Sequence, residues 1–236
     1  MNKFKTLIIA STAVMCCTAA LTGCKSNNSN NSKSYNYTYM NKKETKMYDT
    51  SGISNAYLSG DSYKLSQTDK EILEKAAEIL DKITNDKMSD YEKELAVHDY
   101  LVSYATYDEK ALGALGGPNT NSDNPYGTLI NGKAICSGYT TTFQMFMDML
   151  KIPCKTILAE DEDGDDHAWN MVELDGDWYY VDVTWDDPIP DHENRPVSHK
   201  YFNVTEKFLR ANRHCWDSSD LPKADSTKYA YKEKQE

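Results

Sequence analysis

The sequence has little positive charge for its length. Its 236 residues contain 26 lysines and arginines against 37 aspartates and glutamates, which gives a net charge of −11. This balance argues against nucleic acid as a partner, because phosphate binding depends on basic side chains. It also argues against a basic patch as the means of holding the protein on anionic lipid. No internal repeat is visible, and the composition predicts one globular domain with unstructured flanks.

The N-terminus differs from the rest of the chain. Two lysines precede an acid-free apolar run from Leu7 to Ala20, which is typical of an export signal. The run ends in Leu21-Thr22-Gly23-Cys24, which resembles the lipobox of bacterial lipoproteins. The resemblance implies that residues 1–23 are a lipoprotein signal peptide and that Cys24 is lipidated. An uncleaved membrane-spanning helix of about 20 residues is the alternative. Both predict an extracytoplasmic protein held at the cell membrane.

Cysteine is scarce once this segment is set aside. Two of the six cysteines leave with the signal, and Cys24 is the lipidation candidate. The remaining three, Cys136, Cys154 and Cys215, are too few for a disulfide framework. Cys154 and Cys215 are expected either to pair or to be buried separately. In both cases Cys136 is left without a disulfide partner, so another role has to explain its presence.

The chain divides into four predicted parts. After the signal, residues 24–60 are rich in Asn, Ser and Lys without a helical or alternating period, which predicts a flexible tether. The globular domain is predicted over residues 61–220, and a C-terminal tail over residues 221–236. Residues 113–125 within the domain are rich in Gly, Pro and Asn, which predicts a long surface loop.

Two helices are predicted at the start of the domain. Ser66 precedes an amphipathic segment with apolar residues at helical spacing, namely Ile72, Ala76, Ile79, Leu80 and Ile83. Ser89 and Glu92 fit a capping box that begins the second helix. Its predicted apolar face consists of Leu95, His98, Leu101 and Val102.

Cys136 lies at the start of a third predicted helix. An Asn-Gly turn precedes it, and apolar residues then recur at helical spacing at Tyr139, Phe143, Phe146, Met147 and Leu150. Unpaired N–H groups and the helix dipole favour an anion at such a position, so a thiolate is stabilised there. The thiolate is the nucleophilic form of cysteine. Position alone also fits a buried structural cysteine.

A histidine and an aspartate come together in a predicted hairpin. Two alternating runs, 167–174 and 177–184, flank Asp175-Gly176, which is typical of a two-residue type I′ turn. This turn sets Trp169 opposite Asp182 and makes His167 and Asp182 diagonal neighbours, about 7–8 Å apart at the backbone. A carboxylate there can fix the tautomer of the imidazole. The opposite face, with Ala168, Val172, Val181 and Val183, is expected to pack on the third helix. The face with His167 is expected to carry the catalytic groups.

These residues occur in motifs that resemble the bacterial transglutaminase-like superfamily. The motifs are Gly-Lys-Ala-Ile-Cys-Ser-Gly-Tyr at 132–139, His-Ala-Trp-Asn at 167–170 and Trp-Tyr-Tyr-Val-Asp-Val-Thr-Trp-Asp at 178–186. The resemblance extends over about 66–216 and implies an α+β, papain-like fold. It also implies that Cys136 is the nucleophile, His167 the general base and acid, and Asp182 the orienting carboxylate.

Substrate contacts are predicted less sharply. An oxyanion hole would use the Cys136 backbone N–H and one further donor, for which Tyr126 or another group of the preceding loop is a candidate. Trp169 and Trp185 either line a cleft for the acyl donor or belong to the core.

Other titratable groups are assigned structural roles. His98 is expected to be a packed, hydrogen-bonded histidine and not an alternative base. The acidic run 161–166 is expected to be a solvated connection, since it lacks the spacing of a calcium-binding loop. His192, His199 and His214 are too irregularly spaced for structural zinc. No metal and no cofactor are predicted.

The predicted function is cysteine-dependent acyl transfer on a protein or peptide substrate, including a cell-wall peptide. An amine acceptor would make the protein a transglutaminase, and water would make it a cysteine peptidase or amidase. A non-catalytic binding module with the same fold is the alternative from another class.

Overall fold

The computed structural model describes residues 47–112, 121–161, 163–187, 189 and 196–232. The predicted signal peptide, Cys24 and the first part of the predicted tether lie outside these residues. The helices are α1 (Ser51–Ser59), α2 (Gln67–Ile83), α3 (Asp90–Tyr104), α4 (Glu109–Leu112), α5 (Cys136–Leu150), α6 (Val183–Asp186) and α7 (Glu206–Ala211), with a π-helical turn at Gly127–Asn131. The strands are β1 (Thr106–Tyr107), β2 (Lys133–Ala134), β3 (Cys154–Asp161), β4 (Asp166–Leu174), β5 (Asp177–Val181) and β6 (His214–Cys215). Across this described part of the chain, no helix is both long and apolar enough to cross a membrane.

The first two predicted helices form where their caps indicate. The Ser66 side chain accepts a hydrogen bond from the Asp69 amide at the start of α2, and both bonds of the predicted capping box begin α3. The apolar positions predicted for α2 are buried, apart from Ile83, which is partly buried. Of the face predicted for α3, His98 and Leu101 are buried, and Leu95 and Val102 are partly buried against the core. Glu94 and Val97, which were not predicted, are buried as well. A polar pair in the interior therefore accompanies the apolar residues of α3.

The end of the predicted tether is not a tether. Residues 51–59 form α1, in which Ile53 and Ala56 are buried against the core. The apolar residues of this segment are too few to show a helical period by themselves. Contact with α2 and α5 supplies the missing stabilisation, which often decides whether a short helix forms. The globular part thus begins before residue 61.

α5 is the central element of the core. Ten of its residues are buried, and it packs against α1, α3 and the sheet. The main sheet is antiparallel with the order β5-β4-β3-β6. Val172 and Val181 on the sheet, together with Val183, share a buried cluster with α5, as predicted. The α+β architecture, a cysteine-bearing helix packed on an antiparallel sheet, is therefore confirmed.

The hairpin has the predicted register but is shorter than predicted. Leu174 pairs with Asp177 and Asn170 pairs with Val181, and both turn residues have positive φ, as a type I′ turn requires. The second strand ends at Val181, because Asp182 caps the short helix α6. Asp182 therefore does not pair with Trp169, and Thr184 does not face His167 across a ladder.

Both faces of the sheet are covered. The face that carries Trp169 holds a second buried cluster, whose members include Met171, Tyr180, Leu209 and Trp216. The expectation that this face stays open for function is wrong, because α7 and the residues after it fold over it. The candidate site therefore lies at the edge of this face, where β4 begins.

The predicted C-terminal tail packs on the domain. The Glu206 amide donates to the Ala224 carbonyl over 2.8 Å, and Ala224 is buried. Further along, the ring of Tyr229 stacks on Tyr91 with centroids 5.3 Å apart. Residues 221–232 are therefore part of the folded unit, although they form no helix or strand.

The described end of the predicted surface loop is only partly at the surface, since Asn121 and Asp123 are exposed. Residues 113–120 lie outside the described part, but Ser122 and Asn124 are buried. The Ile135 amide donates to the Ser122 carbonyl over 2.8 Å. This contact places residues 121–125 directly against the start of α5.

Candidate functional site

Cys136 is the first residue of α5, where the helix has no side-chain cap. Its N-cap residue is Ile135, whose side chain cannot accept a hydrogen bond, although its carbonyl oxygen accepts the Gly138 and Tyr139 amides. The positive end of the helix dipole therefore faces the thiol without a competing side-chain acceptor. The thiol itself is only partly buried, so a reagent can reach it.

A close backbone contact holds this helix start in place. A Cβ atom added at Gly138 would lie 2.2 Å from the Ser122 carbonyl oxygen, a distance that real side chains do not adopt. Glycine at this position therefore lets residues 121–125 approach within contact of the helix. Close packing next to the thiol thus explains why the Cys-Ser-Gly-Tyr motif has glycine at this position.

His167 and Asp182 are brought together, as the hairpin register predicts. The imidazole Nε2 lies 2.6 Å from Asp182 Oδ2, and Asp182 is completely buried while His167 is 6% exposed. The other carboxylate oxygen accepts the Trp185 amide over 3.0 Å, which caps α6. The carboxylate is thereby fixed in orientation from two sides.

Cys136 lies beside His167, and its thiol helps to raise the pKa of the imidazole. Because Nε2 faces Asp182, the other ring nitrogen is left for the thiol. Burial lowers the pKa of His167, but the charge of Asp182, together with the bonds to Asp182 and Cys136, outweighs burial and raises this pKa to about 10. The ring is therefore cationic at neutral pH, the form that pairs with a thiolate.

Asp182 stays ionised in spite of its burial. Burial by itself raises the pKa of this carboxyl, but the charges and hydrogen bonds of His167 and His214 lower it well below its usual range. The site therefore contains a nucleophilic sulfur, a cationic acid and a fixed anion in sequence. Such an arrangement can move a proton between sulfur and nitrogen and return it to a leaving group.

The predicted substrate contacts are only partly supported. Trp169 is 1% exposed and stacks on His167 with centroids 5.6 Å apart, so it belongs to the core and does not line a cleft. Trp185 is partly exposed, with its ring 5.4 Å from that of His167. The Tyr126 amide is engaged by Asn124 Oδ1 over 2.9 Å, which excludes it as the second oxyanion donor. A role for the Tyr126 hydroxyl stays a prediction.

Two residues of the site were missed by the sequence predictions. Tyr107 on β1 pairs in parallel with Ala134, two residues before the thiol. Burial and the nearby charges of Cys136 and Asp182 raise its pKa above the usual range. His214 lies 2.8 Å from Asp182 Oδ2 and is buried. A two-residue strand and an isolated histidine carry no local pattern that could have indicated either position.

A second buried network lies beside α3. His98 Nδ1 is 3.0 Å from Asp99 and Nε2 is 3.2 Å from Asp186, while His199 Nε2 is 2.7 Å from Asp99. Burial lowers the pKa of His98, but the two carboxylates outweigh burial and raise it. His98 is therefore a packed, hydrogen-bonded histidine, as predicted, and it joins α3 to α6.

Glu94 forms an unusual pair next to this network. Both Glu94 and Asn203 are completely buried, and Asn203 Nδ2 donates to Glu94 Oε2 over 2.9 Å. Glu94 Oε1 and Asn203 Oδ1 are left without a partner. A proton on Oε1 would make this oxygen a donor, and Asn203 Oδ1 is an acceptor in the same buried pair. Burial raises the pKa of Glu94 to about 8, which agrees with the neutral form.

Two groups of side chains in the described ranges bring three ligating atoms within 4.8 Å of one another. They are His98, Asp99 and His199, and His167, Asp182 and His214. The histidine nitrogens and carboxylate oxygens of each group already bond to one another. Nothing in these contacts calls for an ion, and the expectation of no metal stays a prediction.

The two other cysteines are not bonded. Cys154 begins β3, whereas Cys215 pairs with Glu160, six residues further along the same strand. Six strand residues extend over about 20 Å, far beyond the reach of a disulfide. Neither cysteine is accordingly part of a disulfide.

Comparison with known proteins places this site in a family. The model of the transglutaminase-like superfamily matches residues 77–183. The human and mouse proteins named kyphoscoliosis peptidase are 25% and 26% identical over 119 residues, which are 46% of this chain and 18% of theirs. The chain thus spans less than a fifth of the length of these curated relatives.

Two solved structures are also similar. A structure described as a TGase has 20% identity and a TM-score of 0.41, and the match covers 62% of this chain and 40% of that one. A putative cysteine protease from Cytophaga hutchinsonii has 23% identity and a TM-score of 0.36, with 50% and 38% covered. The family-model match includes the cysteine, the histidine and the aspartate of the site. Residues 77–183 are therefore the part of this chain that matches the transglutaminase-like superfamily.

Proposed function

We propose that this chain is an exported, lipid-anchored enzyme that carries out cysteine-dependent acyl transfer on protein or peptide carboxamides. The observation that supports it is the position of His167, whose Nε2 lies 2.6 Å from Asp182 and whose pKa is raised by both Asp182 and Cys136. A histidine with a purely structural role would not require a partly exposed thiol next to it. A nucleophile needs both a base and an anion that orients the base.

The first half-reaction forms a thioester. The Cys136 sulfur attacks the carboxamide carbon, and the carbonyl π electrons move onto oxygen to give a tetrahedral anion. The uncapped amides at the start of α5 are the groups available to stabilise this anion. When the intermediate collapses, the C–N bond breaks and the nitrogen takes the proton from His167, so that ammonia or an amine leaves.

The second half-reaction transfers the acyl group. A primary amine attacks the thioester carbon, His167 accepts the proton of the attacking nitrogen, and the C–S bond breaks to restore the thiolate. Water in place of the amine gives a carboxylic acid by the same steps. Asp182 stabilises the imidazolium throughout.

Amine incorporation tests the transfer reaction. A glutaminyl peptide is incubated with the protein and a labelled primary amine, and the product masses are measured. We expect the amine mass minus ammonia to be added, and this product to be absent with Cys136→Ala. Cys154→Ser is the matched control, because Cys154 lies away from the site at the other end of α5.

A hydrolase is the second candidate, since the relatives that match are named as peptidases. Cleavage or deamidation at an unchanged rate with and without amine would support it against the transferase. A non-catalytic binding module is tested on the thiol alone. Alkylation of Cys136 that rises only near the free-cysteine pKa of about 8.5 would contradict both enzyme proposals.

Export and anchoring are tested separately from the chemistry. The apolar N-terminal run and Cys24 are the features that support them. We expect the mature protein to partition into detergent and to begin at a lipid-modified Cys24. Cys24→Ser should abolish the modification. An unmodified N-terminus on the wild-type protein would contradict the anchor and leave the acyl-transfer proposal intact.

A further inference from the structure

His214 makes close contacts with the site although it lies far from it in sequence. It begins β6, pairs with Asp161 at the edge of the sheet and is completely buried in its side chain. Its Nε2 lies 2.8 Å from Asp182 Oδ2, the same oxygen that receives His167. Asp182 is thus held by two imidazoles at once.

Both ring nitrogens of His214 face hydrogen-bond acceptors. Nδ1 lies 3.0 Å from the backbone carbonyl oxygen of Asn212, which can only accept. Nε2 faces Asp182, a carboxylate that the two histidines keep ionised. An imidazole whose two nitrogens both face acceptors donates from both, and that form carries a positive charge. The local hydrogen bonds therefore favour an imidazolium at position 214.

We propose that His214 is a positioning residue that holds Asp182 towards His167 and, as a buried cation, stabilises the Cys136 thiolate. This inference rests on the proposed function and identifies a fourth member of the same site. His214 itself does not contact the reacting atoms, because it acts through Asp182. It thereby differs from the zinc-ligand role considered for this histidine from the sequence.

The charges of the site balance when His214 is included. The Cys136 thiolate and Asp182 contribute two negative charges, and the His167 imidazolium contributes one positive charge. A cation at His214 makes the sum zero, which avoids the cost of leaving one buried charge uncompensated. Without it, the surplus anion opposes ionisation of the thiol.

The imidazole of His214 has little freedom to turn. Its ring lies 4.3 Å from that of Trp185 and 5.0 Å from that of Trp169, and the Trp169 contact is edge-to-face. The Tyr201 ring packs at 5.8 Å. Of the titratable groups on the elements around it, Asp182, His167 and Tyr201 contact His214. Cys136 interacts with His167, and Tyr107 interacts with Cys136 and Asp182.

Two substitutions separate charge from packing. His214→Gln keeps an N–H donor for Asp182 but removes the charge, and His214→Leu removes both. His199→Gln is the matched control, because His199 also bonds a carboxylate but belongs to the network beside α3. The rate of Cys136 alkylation by iodoacetamide is measured from pH 4 to pH 10 on the full chain, with the modified peptide quantified by mass.

We expect the alkylation profile of His214→Gln to move to higher pH, with a rate at pH 6 about tenfold below wild type, the effect of a one-unit shift in thiol ionisation. The rate at pH 10 should be unchanged. His214→Leu should show a larger shift, and His199→Gln should follow wild type. Loss of packing alone would instead lower the melting temperature and change the rate equally at every pH.

The proposal for His214 is contradicted if both His214 variants follow the wild-type alkylation profile. It is also contradicted if their alkylation rates fall by the same factor at pH 6 and at pH 10. Failure of the proposed function would be measured on the wild-type protein and not on the His214 variants. It appears in the wild-type protein itself, as a Cys136 profile that rises only near the free-cysteine pKa. The two failures are therefore distinguishable.

Discussion

Replacing Glu94 by glutamine should stabilise the domain, and increasingly so as the pH rises from about 5 to 8. In the native state Glu94 is completely buried against Asn203 and keeps its proton up to a pKa of about 8. In the unfolded chain the same carboxyl has its ordinary pKa of 4.5. Between these values the native state holds one proton more than the unfolded state, so the free energy of unfolding falls with pH.

The magnitude follows from the two pKa values. The slope is about 1.4 kcal/mol per pH unit for one proton. From the unfolded value to pH 7 this amounts to roughly 3 kcal/mol, and the loss levels off on the order of 5 kcal/mol above pH 8. Glutamine does not ionise, and its amide can form the same reciprocal pair with Asn203. The variant therefore lacks this loss.

Urea unfolding at a series of pH values from 5 to 9 measures the effect as a difference between variant and wild type. His98, Tyr91 and Cys154 lie close enough to respond to a charge on Glu94, but native Glu94 is uncharged below its pKa of about 8, so they add little to the difference between pH 5 and 8. Glu92→Gln is the control on the same helix. The capping bonds lower the pKa of Glu92, so its contribution is complete above its unfolded value and should stay flat from pH 5 to 8. A Glu94→Gln difference that is equally flat would refute the reasoning.

Two further predictions concern the site. Asp182→Asn removes the charge that raises the pKa of His167 to about 10, so this pKa should fall in an NMR titration, and acyl transfer at neutral pH should drop on the order of 10²- to 10⁴-fold. An unchanged His167 titration would contradict the assignment. Gly138→Ala should destabilise the fold by about 1–3 kcal/mol in urea unfolding, because its Cβ would overlap the Ser122 carbonyl. Gly52→Ala, a helical glycine with ordinary space around it, should instead stabilise by about 0.5–1 kcal/mol, and equal effects of the two changes would exclude the steric explanation.

The parts of the fold that could be predicted depend on signals close together in sequence. The type I′ turn at Asp175 and Gly176 fixed which residues pair across the hairpin, and the register then brought His167 near Asp182. The caps at Ser66 and Ser89 likewise act over three residues. Such signals need no knowledge of the rest of the molecule.

The parts that could not be predicted depend on distant contacts. α1 forms because Ile53 and Ala56 find the core, not because their own segment shows a helical period. His214 reaches Asp182 through β6, a strand of two residues whose place is set by β3. The strand after the hairpin turn ended early because Asp182 caps α6. In each case tertiary packing decides a choice that local sequence leaves open.

The Tyr231 ring lies flat on His199, with centroids 3.7 Å apart. The cooperative unit therefore extends at least from α1 to this tyrosine, well past both limits of the matched range 77–183. A fragment cut to that range would lack α1, the first part of α2 and β6, and with β6 the second imidazole on Asp182. Any recombinant piece made for enzymology should retain residues 47–232, because a shorter one would report on a damaged protein.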